Sequence, residues 1–401
     1  MRFFSKEELK TLWPFYVDGL LMILFFIMPF MFLYFSALGF SATQIGILFA
    51  IWPLASILFE IPTGAIADIY GRKFSVVLGL LLNGIFMIML SFFTNYFWII
   101  LLMALMGISM TLTSGSFEAW VVDLLKKKKM ENFLNGFFSK RQSIMNVGII
   151  LSGFLGAFLV SIFGLGIIWI AGGASFLISA FFYIFAEEDH EKKDIKFKDS
   201  FKEIWKQSKT TINYGYKHSA LFYLFIIAFI FSISTTLRGF IAWTPFLTSF
   251  GFKEAWFGLL WSAIGVVGFF APLISNKLLK KGKEKNLLII ASIIGIVQGI
   301  FVILFNNLYL LIPTLLMGTF LLNFRTPIRM TYFQRFIPNE LRATMGSVRG
   351  LLIGIASVIG LSLSGLLVDL IGGRYTLVVS ASLMIPMIIL YLRIREDKEI
   401  K

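Results

Sequence analysis

The sequence predicts an all-α integral membrane protein with twelve transmembrane helices in two pseudo-symmetric six-helix bundles. Three observations carry that prediction. Hydrophobic residues form 58% of the chain and charged ones 14%, with a mean hydropathy of +0.85; soluble domains carry roughly one charged residue in four. The apolar residues gather into runs of about 20, the number that a helix rising about 1.5 Å per residue needs to cross roughly 30 Å of hydrocarbon. The chain also repeats itself at an offset of roughly 210 residues.

The runs place spans near residues 12–35, 44–66, 74–93, 97–122, 142–162, 166–186, 219–248, 254–276, 286–305, 308–334, 345–369 and 375–393. They do not alternate as barrel strands do. The opening MRFFSKEELKTLWPFY is basic but lacks a small-residue cleavage site after a short apolar core, so the first run is expected to be a retained helix. The 46 Phe and 34 Gly suit helices that pack closely in lipid.

Charge placement orients the spans. Of the 36 Lys and Arg, Lys253 and Arg374 fall on one side, Arg238, Arg325 and Arg329 fall within spans, and the rest gather on the other side. By the positive-inside rule that basic side is cytoplasmic and holds both termini. The net charge of +14 then reflects topology and contact with anionic lipid, and LLKKKKMEN (124–132) and NKLLKKGKEK (276–285) read the same way without nucleic acid. Near mid-chain, Phe197, Phe201, Ile204 and Trp205 share one helical face while Lys202, Lys206 and Lys209 lie elsewhere, which predicts an amphipathic helix on the cytoplasmic surface. The expected organisation is a bundle over residues 1–186, a cytoplasmic linker over 187–217 and a second bundle over 218–401. With no cysteine and with both histidines, His190 and His218, beside the linker, neither a disulfide nor a metal site is expected.

The repeat is visible in three places. GFSATQIGILFA (39–50) aligns with GFKEAWFGLLWS (251–262), NGIFMIML (83–90) with QGIFVILF (298–305), and SKR (139–141) with SVR (347–349). Three matches in order argue for duplication of a six-span unit, an architecture that places substrate near the bilayer midplane between halves.

The stretch GAIADIYGRK (64–73) lies between spans two and three and presents Gly64, Asp68, Gly71, Arg72 and Lys73. It resembles the signature loop of the major facilitator superfamily, and the twelve spans, central linker and repetition extend the resemblance over the whole chain. The second copy, at 276–285, keeps Gly282 and Lys283 but lacks the acid. The glycines permit a tight turn and close approach, and Arg72 and Lys73 anchor the loop inside. The resemblance implies that Asp68 faces the start of span eleven, near Arg342 and Thr344, and that Arg72 meets Asp123 at the end of span four, together forming a cytoplasmic gate. In span five, Gly148, Ser152, Gly153, Gly156 and Ala157 resemble the glycine-proline motif of family exporters, although the proline is missing. Tight helix packing explains the same small residues.

Ionisable residues inside spans are costly and therefore functional candidates. The resemblance implies that spans one, four, seven and ten face a central cavity. These spans carry Asp18, Glu118, Arg238, and the pair Arg325 and Arg329, which are four apart and share a helical face. The repeat offset matches Glu118 to Arg329 and Ser114 to Arg325, so an ion pair between the halves is expected, with Glu118 or Asp18 as the proton-coupling acid. Asp18 is expected about one turn from the cytoplasmic end, where boundary snorkelling or a permanent ion pair is an equal reading. Arg238, Arg325, Arg329, Asn323, Ser114 and Trp243 are the expected substrate-cavity residues.

The family resemblance implies a secondary active transporter working by alternating access. The partial span-five motif and the intramembrane acids favour proton-coupled export of small organic, drug-like compounds by antiport. The intramembrane arginines favour an alternative, proton-coupled uptake of a small anionic or nutrient solute. A receptor or scaffold without transport is a more remote reading. No GxxxxGK[ST] loop occurs and no span contains histidine, so neither an ATP-driven pump nor an intramembrane enzyme is expected. No cofactor is expected beyond the proton gradient as energy source. The expected partners are a small-molecule substrate and the lipid bilayer, with a monomer in the plasma membrane.

Overall fold

The computed structural model describes residues 4–22, 26–188, 215, 218–279 and 282–395. The amphipathic segment expected over 197–209 lies outside them. Among the described residues every regular element is helical, and ten stretches are long and apolar enough to cross a membrane. Two features reconcile ten with twelve: the first span is broken into short pieces, and the last two spans join across a kink.

The first helix runs Lys6–Leu21, starting well before residue 12, because Ser5 and Glu8 form a reciprocal capping box. The Ser5 hydroxyl accepts the Glu8 N–H at 3.1 Å, and the Glu8 carboxylate accepts the Ser5 N–H at 3.3 Å. The span was expected to continue unbroken to residue 35. It instead turns around Pro29, which has no N–H to donate, and resumes as Met31–Ala37.

Two more spans break where a continuous helix was expected. The fourth stops at Thr113 and restarts as Ser116–Lys127, because Ser114 is extended and Gly115 takes φ = 69°, a left-handed value that favours glycine. The seventh comprises Ser219–Leu237 and Phe240–Thr248, separated by Arg238 and an extended Gly239. The eleventh and twelfth form Arg342–Ser382, kinked at Gly372 with φ = 79°, followed by Met384–Arg393.

The helices pack into two compact units. One comprises Met1–Leu38, Ile51–Lys196 and Lys253–Gly265; the other comprises Gly39–Ala50, Phe197–Phe252 and Val266–Lys401. Close glycine contacts pack the helices of the first unit. A Cβ on Gly84 would lie 2.8 Å from the Gly173 carbonyl oxygen, and one on Gly173 would lie 2.6 Å from that of Gly84. Polar ties reinforce the packing: the Asn83 amide donates to the Met106 carbonyl and the Ser109 hydroxyl, both at 3.0 Å. The small residues of span five meet span eight in the same way. A Cβ on Gly258 would lie 2.5 Å from the Gly153 oxygen, and the Ser262 hydroxyl donates to the Ile150 carbonyl at 2.7 Å. Gly148 and Gly156 are buried on this helix, and Gly156 packs against the Phe30 ring.

In the second unit, Gly46 lies against the Leu361–Gly365 backbone. Asp369 caps the helix Ala42–Tyr70 by accepting the N–H groups of Ala42 at 3.0 Å and Thr43 at 2.7 Å. A carboxylate facing a helix N-terminus is electrostatically favoured. The unit's core runs through Leu221, Phe231, Leu288, Ile328, Tyr332 and Met387.

Candidate functional site

The signature loop is built from the ends of spans two and three. Gly71 adopts φ = 103° and opens the helix Arg72–Leu90. A Cβ there would also meet the Glu188 carboxylate at 3.0 Å, so both conformation and space favour glycine. Arg72 forms an ion pair with Asp123. Lys73 donates through its backbone N–H to Glu188 at 2.7 Å and through Nζ to the Ala186 carbonyl at 2.7 Å. Glu187 pairs with Lys128 at 2.7 Å, and its carbonyl accepts the Trp120 indole N–H at 2.9 Å. Asp68 and Gly64 are exposed. Arg342 and Thr344 stand in the first turn of the helix Arg342–Ser382, in the other unit.

The second unit carries a charge-exchanged counterpart of the Arg72–Asp123 pair. Displaced by the repeat offset of roughly 210 residues, the same two positions become Glu284 and Arg335, which pair at 2.8 Å. Both pairs tie the start of one span to the end of the next, with opposite polarity.

Asp18 is fully buried, three turns into its helix, and is ion-paired, in line with the permanent-pair reading of this residue. Arg141 donates to it at 2.7 Å, and Ser179 donates from the other side. The Arg141 guanidinium lies 4.1 Å from the centroid of the Phe117 ring. Nearer the chain start, Glu8 is buried and accepts hydrogen bonds from Lys140 at 2.6 and 2.8 Å and from the Tyr16 hydroxyl. Burial disfavours ionisation of Glu8, but Lys140, Tyr16 and the Ser5 N–H outweigh it and hold the carboxyl below its ordinary range.

Glu118 has different surroundings. It is exposed in the first turn of Ser116–Lys127, just past the break at Ser114 and Gly115, both also exposed.

The arginines of the second unit turn into that unit's own core. Arg238 caps the broken seventh span and donates to Gln298 at 3.0 Å, whose amide donates to the Thr314 carbonyl at 2.7 Å. Arg325, 2% exposed, donates to the Ala291 carbonyl and lies 3.5 Å from the Met384 sulfur. Arg329 stacks on Phe231, its guanidinium carbon 3.6 Å from the ring centroid. Asn323 donates to the Thr319 carbonyl at 3.0 Å, and Trp243 is buried beside Phe246.

Several participants escape a reading of the sequence alone, among them Glu8, Lys140, Ser179 and the pair Glu284–Arg335. Arg141 and Arg349 sit in the SKR and SVR repeat, which marks duplication and not pairing. Glu187 and Glu188 sit where a linker begins. Among the described residues no three His, Asp or Glu side chains converge to hold a metal ion.

Ten membrane-capable helices, several of them broken, and a glycine-opened acidic loop between two of them describe a multi-pass membrane protein. The chain belongs to the Major Facilitator Superfamily, whose family model matches residues 15–350. It is 26% identical over 388 residues to the MFS-type transporter YxaM of Bacillus subtilis, covering 92% of each chain. It is 24% identical over 283 residues to the multi-drug resistance efflux pump PmrA of Streptococcus pneumoniae, covering 68% of this chain and 67% of that one. Among solved structures, the nucleoside transporter NupG shares the fold with a TM-score of 0.75 at 14% identity, covering 94% of this chain and 98% of that one. The D-xylose-proton symporter does so with a TM-score of 0.72 at 12% identity, covering 96% and 99%.

Proposed function

We propose that this transporter resides in the cell membrane with both termini in the cytoplasm and exports small organic, drug-like compounds in exchange for protons. Glu118 carries the reading. It is an acid inside Tyr96–Lys127, a stretch apolar enough to span, yet it is exposed at a helix break. Asp18 is held by Arg141 and Ser179, so Glu118 is the better placed of the two acids to take up and release a proton. The likeness to PmrA supports export. Proton-coupled uptake of a small anionic solute is the alternative, motivated by the arginines. The test is a screen of drug-like compounds and small anions on purified protein in liposomes with an imposed pH gradient. Gradient-dependent movement of a drug-like compound is expected; accumulation of anions alone would overturn the export reading.

The loop of Gly64, Asp68, Gly71, Arg72 and Lys73, with Asp123, Arg342 and Thr344, is proposed as the cytoplasmic gate. Asp68→Asn is expected to slow turnover several-fold. Because Asp68 is exposed, its stability should change by no more than about 0.5 kcal/mol. Transport rate per folded molecule checks this, and an unchanged rate would remove Asp68 from the gate.

A further inference from the structure

We infer that the second unit holds a half-buried site for one small inorganic anion of halide size, between Arg329, Arg349 and Tyr391. The inference is independent of the transported substrate and of its direction.

The charges inside this unit do not balance. Among its described residues the carboxylates are Glu284, Glu340 and Asp369. Glu284 is paired with Arg335, Asp369 is engaged by the N–H groups of Ala42 and Thr43, and Glu340 is exposed. None is left to neutralise Arg238, Arg325, Arg329 and Arg349. Arg238 and Arg325 meet neutral acceptors, an amide and a carbonyl. Arg329 and Arg349 meet aromatic faces and one methionine sulfur, with Arg349 3.0 Å from Met330 Sδ and 5.2 Å from the Phe333 ring centroid. The Nε atoms of Arg325 and Arg329 are sealed from solvent without a hydrogen-bond partner. Arg325 is buried and Arg238, Arg329 and Arg349 are half-buried, and a guanidinium withdrawn from water without a counter-charge is destabilising.

The space beside them has a matching size. A cavity of about 20 Å³ is lined by Arg329, Arg349, Tyr332, Phe333, Tyr391 and Leu224. That volume admits one particle about as large as a water. A monoatomic halide is somewhat larger than a water and enters if the lining side chains yield slightly, and its charge offsets the guanidiniums. A carboxylic acid or phosphate does not fit. The two guanidiniums repel a cation, and apart from the Tyr332 and Tyr391 hydroxyls the rest of the wall is apolar and aromatic.

Halide-dependent thermal unfolding of the full-length protein in detergent tests the site. At constant ionic strength, replacing gluconate by roughly 1 to 100 mM chloride is expected to raise the unfolding midpoint by several degrees, as binding to the folded state alone requires. Bromide should act as chloride does, while phosphate and acetate should match gluconate. Arg329→Gln should abolish the dependence and Tyr391→Phe should weaken it. Bromide anomalous scattering should place one ion between Arg329 and Arg349. Equal midpoints in chloride and gluconate, or full halide dependence in the variant that folds, would overturn the proposal. An equal rise with acetate or phosphate would also overturn it, by assigning the arginines to the anionic group of a larger solute.

Discussion

Glu118→Gln is expected to abolish accumulation driven by a pH gradient while leaving substrate exchange close to the wild-type rate. If one proton is exchanged for each neutral substrate molecule, a gradient of one pH unit sustains about a tenfold concentration ratio, because one pH unit is about 1.4 kcal/mol. A glutamine keeps the size and hydrogen bonding of the side chain but cannot carry the proton, so the ratio falls to about one. The position makes this substitution mild for folding. Glu118 is exposed at the helix break, so a glutamine of the same size opens no buried cavity there. Loss of accumulation in a folded variant therefore reports coupling. Accumulation that survives would assign the proton to another group.

Arg141→Met is expected to be among the most destabilising single substitutions in the first unit. It leaves Asp18 fully buried with Ser179 as its remaining partner, and breaking a buried pair from one side costs about 3–5 kcal/mol. The Asp18→Asn, Arg141→Met double variant should recover most of that loss, because the uncompensated charge is gone. The two changes are then strongly non-additive. Unfolding midpoints of the single and double variants check this. A single variant within about 1 kcal/mol of wild type would mean that the pair is solvated and contributes like a surface ion pair.

The spans were legible because lipid imposes a length and an apolar composition on each of them. Their breaks were less so. Hydropathy averaged over a span does not register that Ser114–Gly115 and Arg238–Gly239 interrupt the hydrogen-bond ladder, since each spanning stretch stays apolar as a whole. Pro29 was a readable signal, as was the Ser5-x-x-Glu8 capping box that moves the helix start to Lys6. The capping box precedes the first apolar run and Pro29 lies inside it, where the apolar composition masks the local geometry.

The polar partners divide along similar lines. The residues of the Arg72–Asp123 pair could be named from a family resemblance, whereas Asp18–Arg141 joins spans one and five through packing that no local spacing encodes. The second-unit arginines were visible as charges, but their acceptors are a carbonyl, an amide and methionine sulfurs. Such groups occur throughout any sequence, so only folded coordinates single them out. The charge-exchanged pair Glu284–Arg335 lay within reach of the repeat, and the missing step was to compare charges at matched positions.

Proton movement evoked by substrate offers the sharpest test of coupling. Protein is reconstituted in liposomes with a pH-sensitive dye inside and no starting gradient, and a transported compound is then imposed on one side. The wild-type protein should shift the internal pH in proportion to the substrate moved, and Glu118→Gln should move substrate without a pH change. Substrate transport by the wild type with no accompanying proton would contradict proton coupling outright.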